Sequence, residues 1–319
     1  MKEIKYLSEF GLNVYTSYKS IIPIENLEFT KVSRKYHIYS ILSSPKIRYL
    51  KDSFTTTEKY LSFVLEIQNM DSFEEIEVNE VIISNNIDHR QLILKCNYPY
   101  NNLEIEVDNN ITSNQKRSKF ILSAHDSLGM FVDKVCELEV IYIGQAFGKN
   151  GERLATDRLK SHSTLQRILI DYYSSCPDKQ LLVALFEFTP QIYASFDGLS
   201  GKYTATNEEE DNHFNDVTSN SLKYNQIINI TEAAMINFFK PSYNKDFVDN
   251  FPDVGHKGYK QYYDLDYNSL VVEIDLEFNT VGEIELFTDT NRINNSFDHI
   301  QYELFNDPNR KSMFAIFNS

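Results

Sequence analysis

The sequence predicts an α+β protein: a small mixed α/β module at residues 126–252, set between β-rich, sandwich-like segments at 1–125 and 253–319. Three observations carry that expectation. The two outer segments alternate β-branched or aromatic residues with polar ones, the period of a half-buried strand. The centre carries helix-start and helix-stop signals. Between its helices lies Gln180–Phe188 (QLLVALFEF), a near-continuous apolar run of the kind that fills a strand buried on both faces.

In chain order, Tyr36–Leu42 (YHIYSIL), Tyr60–Gln68 (YLSFVLEIQ) and Leu103–Val107 (LEIEV) read as strands. Polar clusters such as Asp108–Asn114 separate them. Gly129–Lys134 and Glu137–Gly144 read as two short strands, followed by a helical stretch from about Arg153. Ser163-Thr164-Leu165-Gln166 fits a capping box, in which the serine hydroxyl accepts an amide and the glutamine reaches back. The helix it starts should run through Tyr173 and stop before Pro177. Residues 193–222 read as an inserted loop whose run Glu208-Glu209-Glu210-Asp211 is a solvated tip. A helix over about Tyr224–Phe239 closes at Pro241, and Leu270–Phe278 and Gly282–Phe287 return to strand alternation. The C-terminal segment shares the aromatic character of the N-terminal one, so the two are expected to pack together.

Composition narrows the function. The chain has 319 residues, 31 basic against 46 acidic, for a net charge of −15. A histone-like positive coat is excluded, whereas a local basic patch for nucleic acid is not. Such a patch exists: residues 149–167 carry five basic residues and two acidic ones. Cys96, Cys136 and Cys176 are widely spaced and form no CxxC pair, as expected of a reducing compartment without zinc ligands or a disulfide framework. The N-terminal stretch has no apolar core of signal-peptide length, and no run approaches the ~18 apolar residues of a membrane span. A soluble cytoplasmic protein with no membrane partner is the expectation. A homo-oligomer is left open.

The chemistry concentrates in the centre. Val140–Gly148 (VIYIGQAFG) contains Tyr142-Ile143-Gly144, and Gly129-Met130-Phe131 lies upstream. Downstream follow Arg158 and His162, then Glu232 in TEAAMINFF, then Asn244 in KPSYN. This ordered set, over about residues 127–250, resembles the GIY-YIG nuclease family. That family pairs two adjacent strands bearing GIY and YIG with a helical Arg, a His or Tyr one turn later, a metal-binding Glu on a later helix, and an Asn beyond. The resemblance implies a metal-dependent endonuclease, with DNA favoured over RNA, leaving a 5′ phosphate and a 3′ hydroxyl. A restriction or phage-defence setting follows by analogy.

The residue types suit that chemistry. Arg158 and His162 are four apart and would share one face of a helix. The guanidinium can bind a phosphate in a fork, and the imidazole can take a proton near neutral pH. Glu232 is a hard carboxylate able to hold Mg²⁺ or Mn²⁺. Gly144 permits close approach of backbone and ligand. The resemblance makes the Tyr142 hydroxyl a group that orients the water, and makes Asn244 a brace for the site. Lys149, Arg153, Lys160 and Arg167 are candidate phosphate contacts. Read without the resemblance, each of these is an ordinary surface, strand or turn residue. One departure stands out: the first family tyrosine aligns with Phe131, which cannot exchange a proton, so His162 and Tyr142 are expected to do the base work. His125-Asp126 reads as a loop pair able to contribute a base. Two other readings stay open: a catalytically degenerate scaffold that binds a partner, and an RNA-cleaving toxin.

Overall fold

The computed structural model describes residues 2–27, 34–107, 118–132, 134–147, 155–159, 162–196, 202–278, 283–294 and 297–314. Among them, eight strands form one mixed sheet: β1 (Ser8–Pro23), β2 (Ile38–Pro45), β3 (Cys136–Gln145), β4 (Lys179–Phe196), β5 (Ser269–Asp275), β6 (Ile284–Phe287), β7 (Arg292–Ile293) and β8 (Phe297–Glu303). Their spatial order is β7-β6-β3-β2-β4-β1-β5-β8. β1 with β5 and β3 with β6 are parallel pairs, and the other neighbours are antiparallel. The helices are α1 (Ala124–Phe131), α2 (Ala155–Leu159), α3 (Ser163–Ser175), α4 (Asn207–Ser219), α5 (Tyr224–Phe239) and the short α6 (Gln261–Asp264).

The chain is mixed helix and sheet, but its sheet crosses the boundaries expected at 125/126 and 252/253. β1 and β2 come from the first segment and β5 to β8 from the last, and all of them flank or extend β3 and β4. The flanks therefore share one sheet with the centre, and β1 of the first segment pairs with β5 of the last, as their expected packing requires. Alternation reports that one face of a strand is buried; it does not name the neighbouring strand. Residues 46–135, between the neighbours β2 and β3, include two smaller sheets, one spanning residues 47–81 and one residues 92–123.

β4 shows why its sequence is apolar throughout. Leu181, Val183 and Leu185 join Ile41, Ile141, Leu165 and Ile168 in a core beneath α3. Leu182, Ala184 and Phe186 face the opposite core, which holds Leu42, Val140 and the α5 residues Ile230, Ala233 and Met235. β3 lies between the same two layers, but a bulge interrupts its pairing with β2 between Val140 and Tyr142. Val140 and Ile143 face α5, whereas Ile141 and Tyr142 both face the α3 side. An extra residue in one strand re-aims the side chains beyond it, and here it turns Tyr142 toward α2 and α3.

Several local expectations are corrected. Gly129–Phe131 is the end of α1, not a strand: Ser123 caps that helix by accepting the Asp126 amide at 2.9 Å, and Ala124 and Leu128 bury one face. The Ser163 capping box does not form; His162 is the N-cap residue and Ser163 is already helical. Residues 193–222 are not simply a loop. β4 continues to Phe196, and α4 begins at a capping box made by Thr206 and Glu209. Glu208, Glu209 and Glu210 occupy its first turn, where the helix dipole favours carboxylates. Glu210 also accepts the Leu7 and Ser8 amides at 2.8 and 2.9 Å, so this acidic run is not merely solvated. α3 and α5 end as expected, α5 with Lys240 in the left-handed region at φ 50°. Asp108–Asn114 and the start of the helical stretch at Arg153 lie outside the described residues. Among the described residues, no helix is long and apolar enough to cross a membrane.

Candidate active site

The site forms where the two helical layers meet at the Gly144 end of β3. Gly144 pairs in register with Tyr39 on β2. A Cβ built on Gly144 would stand 2.6 Å from the Tyr39 hydroxyl oxygen and 2.8 Å from Tyr142 Cε1. Only glycine lets the two rings close over the strand. The Tyr39 and Tyr142 ring centroids are 6.1 Å apart. His162 completes a triangle, 5.4 Å from Tyr142 and 6.2 Å, edge-on, from Tyr39.

Arg158 and His162 do not share one continuous helix. Arg158 belongs to α2 and His162 caps α3, with the His162 amide donating to the Leu159 carbonyl at 3.2 Å. Both reach the same place nonetheless, because the Arg158 guanidinium lies against the Tyr39 hydroxyl. From the other layer, Glu232 on α5 faces the same group.

The electrostatics follow from burial and these neighbours. Burial pushes the Tyr39 and Tyr142 hydroxyls above their ordinary range, and the Glu232 carboxyl adds to the effect, while Arg158 opposes it. Both phenols are therefore protonated near neutral pH. Burial pushes the Glu232 carboxyl up to about 7; the Gln145 side-chain and backbone amides and Arg158 favour its charged form, and Asp246 opposes it.

Asn244 braces the strand that carries Tyr142. Its amide donates to the Ile143 carbonyl at 2.8 Å and its carbonyl accepts the Ile143 amide at 2.9 Å. Tyr243 adds a backbone bond to the Ile141 carbonyl at 3.1 Å. This short segment covers the edge of β3 beyond Glu139, where pairing with β6 stops. Gln145 is held in turn: it donates to Asn229, whose own amide donates to the Gly258 carbonyl at 3.0 Å.

Tyr142, Gly144, Arg158, His162, Glu232 and Asn244 thus converge. Arg167 stands apart, exposed on α3, 3.6 Å from Asp171 and stacked 5.6 Å over the Tyr243 ring. Lys149, Arg153 and Lys160 lie outside the described residues. Phe131 does not lie beside Tyr142; it packs at the end of α1, 6.3 Å from Phe63, in the opposite core. The tyrosine on the strand beside Tyr142 is Tyr39. His125 is buried in α1 near the Cys136 sulfur, and burial pulls its pKa down to about 4, so it is a neutral packing residue rather than a loop base.

Tyr39 and Gln145 were missed by sequence reasoning. Tyr39 sat in a strand recognised as such, and what was missing was its neighbour. Gln145 directly follows the Tyr142-Ile143-Gly144 triplet, and that adjacency was its only signal.

No family model, curated protein or solved structure matches this chain.

The donor set can still be weighed for a cation. Among the described residues, no group of three or more His, Cys, Asp or Glu is gathered to hold a metal. Glu232 alone, with Gln145 beside it, suits Mg²⁺, which keeps several waters and uses one or two protein carboxylates plus substrate phosphate. It does not suit zinc, which needs three or four protein ligands.

Proposed function

We propose that this chain is a metal-dependent endonuclease of the GIY-YIG type, hydrolysing phosphodiester bonds in nucleic acid, with DNA the favoured substrate. The observation that carries the reading is the convergence on Gly144 of Tyr39, Tyr142, Arg158, His162 and Glu232, which come from five separate elements. Tyr39 and Tyr142 also pack in the core beneath α3, but a guanidinium, an imidazole and a carboxylate of raised pKa gathered on those two rings go beyond what packing requires. In this reading β2 and β3 are the two motif strands, Tyr39 supplies the first motif tyrosine, and residues 46–135 are inserted between them.

The chemistry then divides among the residues. Arg158 grips a non-bridging phosphate oxygen and offsets the charge that develops there. Tyr39 and Tyr142, both kept protonated, are poor bases; they orient the attacking water. His162 takes the water's proton as the oxygen attacks phosphorus and the bond to the 3′ oxygen breaks. Glu232 would hold a divalent cation, which would supply Lewis-acid stabilisation of the leaving 3′ oxygen until that oxygen takes a proton from solvent. Asn244 and Gln145 hold Tyr142 and Glu232 in place.

The degenerate-scaffold reading drew on Phe131 and on the acidic net charge; Tyr39 answers the first of these, and the net charge of −15 still speaks for it. The test is incubation of plasmid DNA and of RNA with the purified protein and Mg²⁺ or Mn²⁺. Cleavage of DNA that is lost in Arg158→Ala and Glu232→Gln supports the reading. Cleavage of RNA alone favours the toxin reading, and cleavage of neither favours a binding protein.

A further inference from the structure

α3 carries an outward stripe that begins at the candidate active site. His162, Gln166, Leu169 and Tyr173 follow one another at i, i+4, i+7 and i+11, which lines them up along one face of a helix. Leu165 and Ile168, on the sheet side, are buried. On the stripe, Gln166 is exposed, Leu169 is 41% exposed and Tyr173 is 89% exposed.

The stripe ends at a cleft of about 280 Å³ whose lining includes Lys46, Leu169, Tyr172, Tyr173, Lys179 and Leu181. Its walls are apolar, its charged groups are both lysines, and no carboxylate lines it. On a chain of net charge −15 that is a local exception. Beside the cleft, Asp178 is buried, accepts the Met70 amide at 3.2 Å and pairs with the Lys179 ammonium at 4.0 Å, so it offsets part of that lysine's charge and leaves Lys46 as the stronger cation. Lys46 is exposed, with its ammonium on the Pro177 carbonyl, a neutral acceptor that leaves the charge available. Tyr172 forms a fixed wall, its hydroxyl turned toward Ser43.

An aromatic face, an apolar floor and two ammonium groups suit one partner chemistry best: a nucleobase stacked on the ring with its phosphate between the lysines. A duplex hides its base faces except at its ends, so the base must be unpaired. The distance sets the reach. Eleven residues of helix at 1.5 Å each place Tyr173 about 16 Å from His162, roughly five stacked nucleotides at 3.4 Å.

We infer that the Tyr173 cleft is a second nucleic-acid subsite, which stacks an unpaired nucleotide on the strand that also passes His162. The inference rests on the nuclease reading and names its substrate class: nucleic acid with a single-stranded segment beside the scissile bond.

The experiment is fluorescence anisotropy of labelled (dT)15 and of the matching duplex, in chelator so that nothing is cleaved, at two salt concentrations. Tyr173→Ala should weaken single-strand binding about 5- to 160-fold, the range for losing one base–aromatic stack, and leave duplex binding unchanged. Tyr173→Phe should bind like the parent, since stacking needs the ring and not the hydroxyl. Lys46→Ala with Lys179→Ala should weaken binding and flatten its salt dependence. Tyr173 is exposed, so unchanged melting temperatures should confirm that the variants fold. Parental affinity in Tyr173→Ala overturns the subsite. If the parent also cleaves duplex, the nuclease reading survives that failure. A parent that binds neither probe and cleaves nothing overturns both. Loss of self-association in Tyr173→Ala, measured by light scattering with (dT)15 affinity unchanged, overturns the subsite and makes the stripe a contact between two copies.

Discussion

A Glu232→Gln variant should lose cleavage and gain stability, and only the stability gain should vary with pH. Burial pushes this carboxyl up to about 7 from an ordinary 4.5. Because the folded value lies above the unfolded one, the folded state holds the proton more tightly. The stability this contributes is full below 4.5 and is lost as pH rises to about 7. About 2.5 pKa units at 1.36 kcal/mol each set an upper limit of about 3 kcal/mol on that loss. Glutamine fills the same space, carries no charge and still accepts from Gln145. Urea unfolding of both proteins should show no difference near pH 4, a divergence between pH 4.5 and 7, and a plateau above. Saturating Mg²⁺ should stabilise the parent by ~2.7 kcal/mol at one hundred times its dissociation constant and leave the variant unmoved. A variant less stable than the parent at pH 8, or one stabilised equally by Mg²⁺, would refute the reasoning.

Other expectations follow from the same geometry. Arg158→Ala should slow cleavage by ~10²–10³-fold with Lys a poor substitute, measured as single-turnover rate. Tyr39→Phe should lower the rate far more than any change at residue 131, and Phe131→Tyr should leave activity as it is; the reverse pattern would restore residue 131 to the site. Gly144→Ala forces a methyl to within 2.6 Å of the Tyr39 hydroxyl and should cost about 1–3 kcal/mol as well as activity, read by urea melts and cleavage together. Asn244→Ala removes both side-chain bonds to Ile143 and should cost about 1–3 kcal/mol, with kcat falling more than KM rises because Tyr142 shifts.

Part of this architecture was legible from local pattern. α5 spans the residues its apolar period marked, and the continuous apolar run of β4 matches burial on both faces. The sequence order of Tyr142, Arg158, His162 and Glu232 marks them as candidates, and they converge. What was not legible is long-range. β2 pairs with β3 across residues 46–135, and nothing in Tyr36–Leu42 names a partner so distant. Helix starts were ambiguous for a different reason: similar capping letters occur at Ser123, Ser163 and Thr206. The box closes fully at Thr206, Ser123 caps α1 alone, and Ser163 already lies inside α3 behind His162. A hydroxyl caps only where its own residue has an extended backbone, as Ser123 and Thr206 do, and letters alone do not state that.

The most direct test of the central claim is plasmid cleavage by the purified protein with Mg²⁺ or Mn²⁺, beside the same reaction in chelator and beside Glu232→Gln. The account predicts nicked or linear DNA with 5′ phosphate and 3′ hydroxyl ends, formed only with the divalent cation and only by the parent. DNA and RNA left intact by the parent under every cation condition, or cleavage undiminished in chelator, would contradict it.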